Sequence, residues 1–269
     1  MRLGISSWTV PWSIGIPGYP PPPHPLSAIA LVELAEKVGV DVLQIADNLP
    51  LHKLTPAELR DLRRAAERRG IGLQTGTRGV LPEHLLPYLE ISNQLGAKVV
   101  RTVSHASRGK PHITEVRQWM EQILPQFEHA GVAIALENNE AHRISDFAWL
   151  VRELNSPSLG ICIDTANSLG ALETTDRVVE VLAPYTTVLH VKDFDIRRID
   201  TRMGFAVVGC PAGKGRVDFD WIFEQLSRYG RDPAVILEHW PPFTETIEKT
   251  IQLEEDWVER SMRFLRARA

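Results

Sequence analysis

The chain is poor in cysteine, has little excess of either charge and contains no long hydrophobic run. Only two cysteines occur in 269 residues. Cys162 sits inside an apolar, strand-like run and Cys210 in a loop rich in glycine and proline. A disulfide framework is therefore not expected, and a reducing compartment fits. No apolar stretch approaches the roughly 20 residues that span a bilayer as a helix, so no membrane partner is expected. The opening residues, Met1 to Ser7, lack a charged region followed by a long apolar one and read as a first strand, which makes the cytoplasm the expected location. Lysine plus arginine (30) nearly balance aspartate plus glutamate (34), giving a net charge of −4. The basic face that a nucleic-acid partner would need is not expected.

What the chain does have is alternation. Apolar, β-branched runs recur at 3–6, 42–46, 72–74, 98–102, 132–136, 159–163, 187–191 and 234–237. Helical patterns lie between them at 25–38, 56–69, 82–95, 113–130, 144–154, 176–182 and 219–229, and a last one at 245–267 closes the chain. Such alternation predicts an α/β fold, a (β/α)8 TIM barrel in one domain over 1–269, with an open doubly wound sheet as the alternative. Helix punctuation agrees. Thr55, Pro56 and Glu58 form a start signal, and Gly39, Gly70, Gly96, Gly131 and Gly230 stand where helices should stop.

Three loops are longer than the rest. Residues 8–24 hold Trp8, Trp12 and four consecutive prolines. They read as a stiff surface loop, a lid over a small polar ligand, or a contact in a homo-oligomer. Residues 103–111 carry His105, Arg108 and Lys110. Residues 194–216 carry Arg197, Arg198, Arg202 and a glycine-rich stretch, 209–215, whose backbone N–H groups could cradle an anion.

The most informative pattern lies in the second half. Four strand-like runs end on potential metal ligands: Glu137, Asp164, His190 and Glu238. The C-terminal ends of barrel strands build the active face. Carboxylates after all-apolar strands are costly unless paired or coordinated. Two Glu, one Asp and one His converging there would make a hard, oxygen-rich site for one divalent cation.

The segments Ala135-Leu-Glu137-Asn138, Cys162-Ile-Asp164-Thr165, His190-Val-Lys192-Asp193 and Ile236-Leu-Glu238 resemble the xylose isomerase-like TIM-barrel superfamily. That group includes sugar phosphate isomerases and epimerases, inosose dehydratases and the AP endonuclease family 2. The resemblance implies that Glu137, Asp164, His190 and Glu238 hold Mn²⁺, or alternatively Mg²⁺ or Co²⁺. It also implies that Glu137 and Glu238 act as the acid/base pair on a ketose. One departure stands out: many relatives carry His three residues after the strand-six Asp, where this chain has Asn167. Asn can hydrogen-bond a hydroxyl but is a poor transition-metal ligand, which depletes a three-zinc nuclease site.

A divalent ion that chelates a carbonyl and its neighbouring hydroxyl stabilises an enediolate. Such a site predicts a metal-dependent isomerase or epimerase of a ketose or sugar derivative. The alternative is a lyase on the same scaffold: a decarboxylase of a 3-oxo sugar acid, a dehydratase, or an enzyme cleaving a 3-oxo-glycoside. A sugar-binding barrel without catalysis is the non-enzymatic reading, opposed by the complete ligand set. Lys192 lies two residues after His190, on the same side of its strand, and is expected to stabilise a substrate carboxylate or oxyanion, or to pair with Asp193. Expected substrate contacts are Trp8, Arg101, His105, Asn138, Asn167 and Arg202, with Gln44, Asn139, His142, His239 and Trp240 as further candidates, while Asn139 and Glu140 are also placed to support the ligand that ends strand five.

Overall fold

Parallel strands joined by helices close on themselves here. The computed structural model describes residues 1–104, 109–200 and 203–268. Its barrel strands are β1 (Arg2–Ser6), β2 (Val42–Ile45), β3 (Gly72–Gly76), β4 (Val99–Val103), β5 (Ala133–Glu137), β6 (Leu159–Asp164) and β7 (Thr186–Val191), with β10 (Ala234–Leu237) completing the ring. Pairing runs β1-β10-β7-β6-β5-β4-β3-β2 and back to β1, which is the (β/α)8 barrel and not the open sheet. Helices α1 (Pro11–Ile14), α2 (Ala28–Val38), α3 (Pro56–Arg69), α4 (Pro82–Leu95), α5 (Ile113–Ala130), α6 (Ile144–Leu154), α7 (Thr175–Leu182), α8 (Phe219–Arg228) and α9 (Ile247–Arg266) fill the connections.

Local chemistry sets the helix ends. Thr55 Oγ1 accepts the Glu58 N–H, and Glu58 returns a bond to the Thr55 N–H, so α3 starts with a closed capping box. Two helices start later than their apolar pattern suggests, because a hydroxyl caps them: Ser27 before α2 and Thr246 before α9.

The hydrophobic core has two layers. Leu31, Leu62, Leu85, Met120, Phe127, Phe147 and Phe219 fill the space between strands and helices. A smaller cluster of Val42, Ala135, Cys162, Val188, Ala234 and Ile236 fills the inside of the barrel. Close approach there excludes side chains at Gly4, where a Cβ would lie 2.7 Å from the Val42 carbonyl oxygen and against Ile236. Counting two residues on from these interior positions gives Gln44, Glu137, Asp164, His190 and Glu238. The inner floor therefore supports a polar layer at the C-terminal ends of the strands.

One element departs from the sequence reading. Residues 194–216, expected as a loop, contain an antiparallel hairpin of β8 (Asp193–Arg198) and β9 (Phe205–Cys210). Its cross-strand pairs Ile196↔Val207 and Arg198↔Phe205 lie on one face, and the Arg198 guanidinium stacks 4.6 Å from the Phe205 ring centroid.

Candidate metal and substrate site

The four expected ligands come from adjacent strands and are fully buried: Glu137 and Asp164 end β5 and β6, His190 lies near the end of β7, and Glu238 follows β10. Register brings Asp164 level with His190 and His190 level with Ile236. His190 Nδ1 lies 3.1 Å from Glu137 Oε2 and 3.4 Å from Glu238 Oε2. Ligand atoms of Asp164, His190 and Glu238 all lie within 4.8 Å of one another.

Each of the three carboxylates has one oxygen tied to the protein. Asp164 Oδ1 accepts the N–H groups of Ala166 and Asn167, both at 2.8 Å. Glu238 Oε1 accepts the Ser6 hydroxyl at 2.8 Å. Glu137 Oε1 accepts the Asn167 amide at 2.8 Å. The remaining atoms, Asp164 Oδ2, Glu238 Oε2 and His190 Nδ1, make no hydrogen bond of ordinary geometry among the described residues. Burying such acceptors is costly, and their convergence on one point, two oxygens and one imidazole nitrogen, suits a divalent cation. Glu137 differs, since its Oε2 is also taken by the Arg101 guanidinium.

Two cations balance this acidic layer. Lys192 Nζ stands 2.7 Å from Asp164 Oδ2 and 3.1 Å from Glu238 Oε2. Arg101 is 4% exposed and joins Glu137 to Asp47 Oδ1, at 3.2 Å, and to the Thr77 carbonyl. Asp47 in turn accepts from Trp8 Nε1 and pairs with Arg78, each at 3.2 Å. Burial works against ionising Glu137, but the Arg101 guanidinium holds its carboxyl well below the usual carboxylate range. Burial raises the Asp164 pKa despite Lys192. Burial opposes the charge of Lys192, and Asp164 and Glu238 overcome it, keeping the ammonium protonated.

Above these residues opens a cavity of about 610 Å³, large enough for a sugar-sized molecule. Trp8, Arg101, Asn167, Lys192 and Trp240 line it with Glu137 and Glu238, while Val103, Ala166, Leu169 and Val207 give it an apolar wall. Asn167 also holds Glu137, so the Asn three residues after Asp164 is hydrogen-bonded to a candidate ligand. Asn139 lines the cavity as well and uses its amide to shape the loop after β5.

The other expected contacts differ in placement. Asn138 is fully buried, donates to the Asp164 carbonyl and Ser168 Oγ, and accepts the Asp164 N–H. This position braces β5 against β6 and does not face the cavity, which corrects the expectation of a substrate contact. His239 does line the cavity; its ring also packs edge-on against Trp257 of α9, and burial pushes its pKa down to about 3. His142 is buried beside Phe147. His105 and Arg202 lie outside the described residues.

The glycine-rich stretch does cradle an anion, but the anion is the chain's own. Asp193 Oδ2 accepts the N–H groups of Gly213, Lys214 and Gly215 at 2.9, 3.1 and 2.8 Å. Its Oδ1 accepts from Val217 and Phe194. Asp193 is thus committed to this turn, and Lys192 pairs with Asp164 and Glu238 instead.

The loop after β1 is fastened at several points. Trp8 reaches the cavity, whereas Trp12 donates to the Pro241 carbonyl and packs with Tyr19 and Phe243. Glu254 of α9 accepts the N–H groups of Trp12 and Ser13 and the Ser13 hydroxyl. Ser6, Asp47, Gln74 and Thr77 were not singled out from sequence. For Ser6 and Gln74 a signal existed, since each is a polar residue directly after an apolar one in a strand.

The family model described as "Xylose isomerase-like TIM barrel" matches residues 32–268. The 3-oxo-isoapionate decarboxylase of Pectobacterium atrosepticum is 34% identical over 268 residues, covering 100% of this chain and 96% of that protein. Among solved structures, a D-psicose 3-epimerase with D-tagatose from Clostridium cellulolyticum H10 superposes with a TM-score of 0.72 at 16% identity, covering 98% of this chain and 97% of that one. A xylose isomerase-like barrel protein from Mycobacterium smegmatis in complex with magnesium gives a TM-score of 0.66 at 13% identity, with the same coverage.

Proposed function

The chain belongs to the xylose isomerase-like TIM-barrel family, and within it we propose that this protein is a divalent-metal-dependent lyase that decarboxylates a 3-oxo sugar acid. The observation that carries this over an epimerase is the state of Glu137. An epimerase of this design needs two carboxylates that take and return a proton on opposite faces of the substrate. Here both Glu137 oxygens already accept permanent donors, Asn167 on one and the buried Arg101 on the other. A carboxylate held in this way is a weak base. Full-length identity of 34% to a decarboxylase supports the same reading.

Asp164, His190 and Glu238, with Glu137 beside them, would hold the cation, with Mn²⁺ the expected ion and Mg²⁺ or Co²⁺ alternatives. When bound, a divalent cation supplies Lewis acidity toward the 3-oxo group and an adjacent oxygen. The chain's residues do the rest. Loss of CO₂ breaks the bond between the carboxyl carbon and C2, and the electron pair moves toward the 3-oxo oxygen. Lys192, at the cavity floor, stabilises that growing negative charge. Val103, Leu169 and Val207 form the apolar wall against which the carboxylate loses water and becomes CO₂. Glu238 accepts the Ser6 hydroxyl at one oxygen and pairs with Lys192 at the other, and it relays to C2 a proton taken up from solvent. Trp8 and Trp240 pack on the carbon skeleton, and Asn167 addresses a hydroxyl.

One observation favours an epimerase as the second reading: Glu137 and Glu238 both flank His190, as a two-carboxylate proton exchange would require. The two readings separate cleanly. Mn²⁺-loaded protein is incubated with 3-oxo-isoapionate and, separately, with ketoses in D₂O. Release of CO₂ with an enolate-derived ketone as product is expected. Deuterium entering C3 of a ketose with no CO₂ from the acid would overturn the lyase assignment.

A further inference from the structure

His190 can serve as a ligand only if Nδ1 carries a lone pair. What decides this lies across the barrel, in two buried amides. Gln44 of β2 and Gln74 of β3 are level with each other in the β2–β3 register, and both are buried. Gln44 Nε2 donates to Gln74 Oε1 at 2.9 Å. Its oxygen therefore turns the other way and meets His190 Nε2, also at 2.9 Å.

An amide oxygen has only lone pairs to offer. For that contact to be a hydrogen bond, His190 Nε2 must carry the proton. The opposite tautomer would oppose two lone pairs at 2.9 Å and aim an Nδ1–H at Glu137 and Glu238. His190 would then be a hydrogen-bond donor to carboxylates and no longer a ligand. With Nε2 protonated, the Nδ1 lone pair points to the place where Asp164 Oδ2 and Glu238 Oε2 also converge.

We propose that Gln44 and Gln74 are positioning residues that fix the His190 tautomer and so make it a metal ligand. Gln44 acts directly on the ring; Gln74 acts through Gln44, by holding its amide in one of two orientations. This rests on the metal-site reading of Asp164, His190 and Glu238, and not on which reaction follows. Hydrogen-bonded partners of this kind tune metal affinity by about 10–100-fold.

The test measures Mn²⁺ binding by calorimetry, without substrate, in wild type and in Gln44→Leu, Gln44→Glu and Gln74→Leu. Circular dichroism checks that each variant folds. Gln44→Leu should weaken binding by about 10–100-fold. Gln44→Glu, which still presents an oxygen to Nε2, should stay near wild type. Gln74→Leu should lie between them, and it carries the test if Gln44→Leu does not fold. Nitrogen NMR of the Mg²⁺-loaded wild type should find the proton on Nε2. Wild-type binding strength in Gln44→Leu, or a proton on Nδ1 in the loaded wild type, would overturn the inference. If Mn²⁺ binds wild type and weakens on Gln44→Leu while no CO₂ is released from any 3-oxo acid, the inference stands and the proposed reaction falls.

Discussion

Lys192 Nζ stands 2.7 Å from Asp164 Oδ2, an oxygen that also converges with His190 Nδ1 and Glu238 Oε2. The ammonium and a divalent cation therefore draw on the same lone pairs. Charges this close interact by about 4 kcal/mol at an effective dielectric of about 20, so their competition is not negligible. Lys192→Met should bind Mn²⁺ more tightly, by about tenfold, or on the order of 1.4 kcal/mol. Turnover should fall by about 100-fold or more, because the oxyanion loses its cation. Calorimetry and CO₂ release read the two effects separately. Weaker Mn²⁺ binding in the variant would instead make Lys192 a support for the carboxylates.

Arg101 poses the converse case. It is buried against a fully buried Glu137 and also pairs with Asp47. Removing one partner of a buried pair leaves the other charged and desolvated, at a cost of about 3–5 kcal/mol. Arg101→Met should lose stability on that scale in urea unfolding. Divalent metal should restore part of it, since binding to the folded state alone adds about 2.7 kcal/mol at a ligand concentration of about 100 Kd. A variant as stable as wild type without metal would show that Arg101 does not neutralise Glu137.

The convergence of the four strand-end residues was legible because strand patterning continues through them. Apolar residues inside the barrel end, two positions later, on Glu137, Asp164, His190 and Glu238. The same alternation separates neighbours: if Glu137 faces in, Asn138 must face out, and it braces β6. What sequence could not give was pairing across the barrel. Arg101 meets Glu137 and Asp47 through strand register and loop placement, and no local spacing announces either contact. The β8–β9 hairpin was hidden because several of its residues are exposed, so no buried face marks its strands. A glycine-rich stretch that could hold an anion gave no sign that the anion would be Asp193.

That cradle makes its own prediction. Backbone N–H groups of Gly213, Lys214 and Gly215 all point at Asp193 Oδ2. In Asp193→Asn an amide N–H₂ would face one part of this ring of donors. Leaving buried donors without acceptors costs about 1–3 kcal/mol. Hydrogen exchange should speed up at Gly213, Lys214 and Gly215 more than in the barrel strands. Uniform acceleration across the barrel would mean that the cradle is not a local lock on the hairpin's return segment.

Glu254 sets a pH dependence that does not involve the candidate ligands. It lies fully buried in α9 and accepts from Trp12 and Ser13, which fasten the loop after β1. Burial raises its pKa from the ordinary 4.5 to about 7, against the lowering effect of those hydrogen bonds. Between these values the folded chain holds a proton that the unfolded chain has released. The group's contribution to stability is therefore complete below about pH 4.5 and is lost as pH rises through about 7. The full swing is at most about 3 kcal/mol, taking about 1.36 kcal/mol per pKa unit. Glu254→Gln carries no charge in either state, so its unfolding free energy should lack this decline. Urea unfolding of wild type and variant across the interval measures the difference directly. Parallel pH profiles would mean that Glu254 ionises in the folded protein as readily as in the unfolded chain, and that the loop's attachment is insensitive to pH.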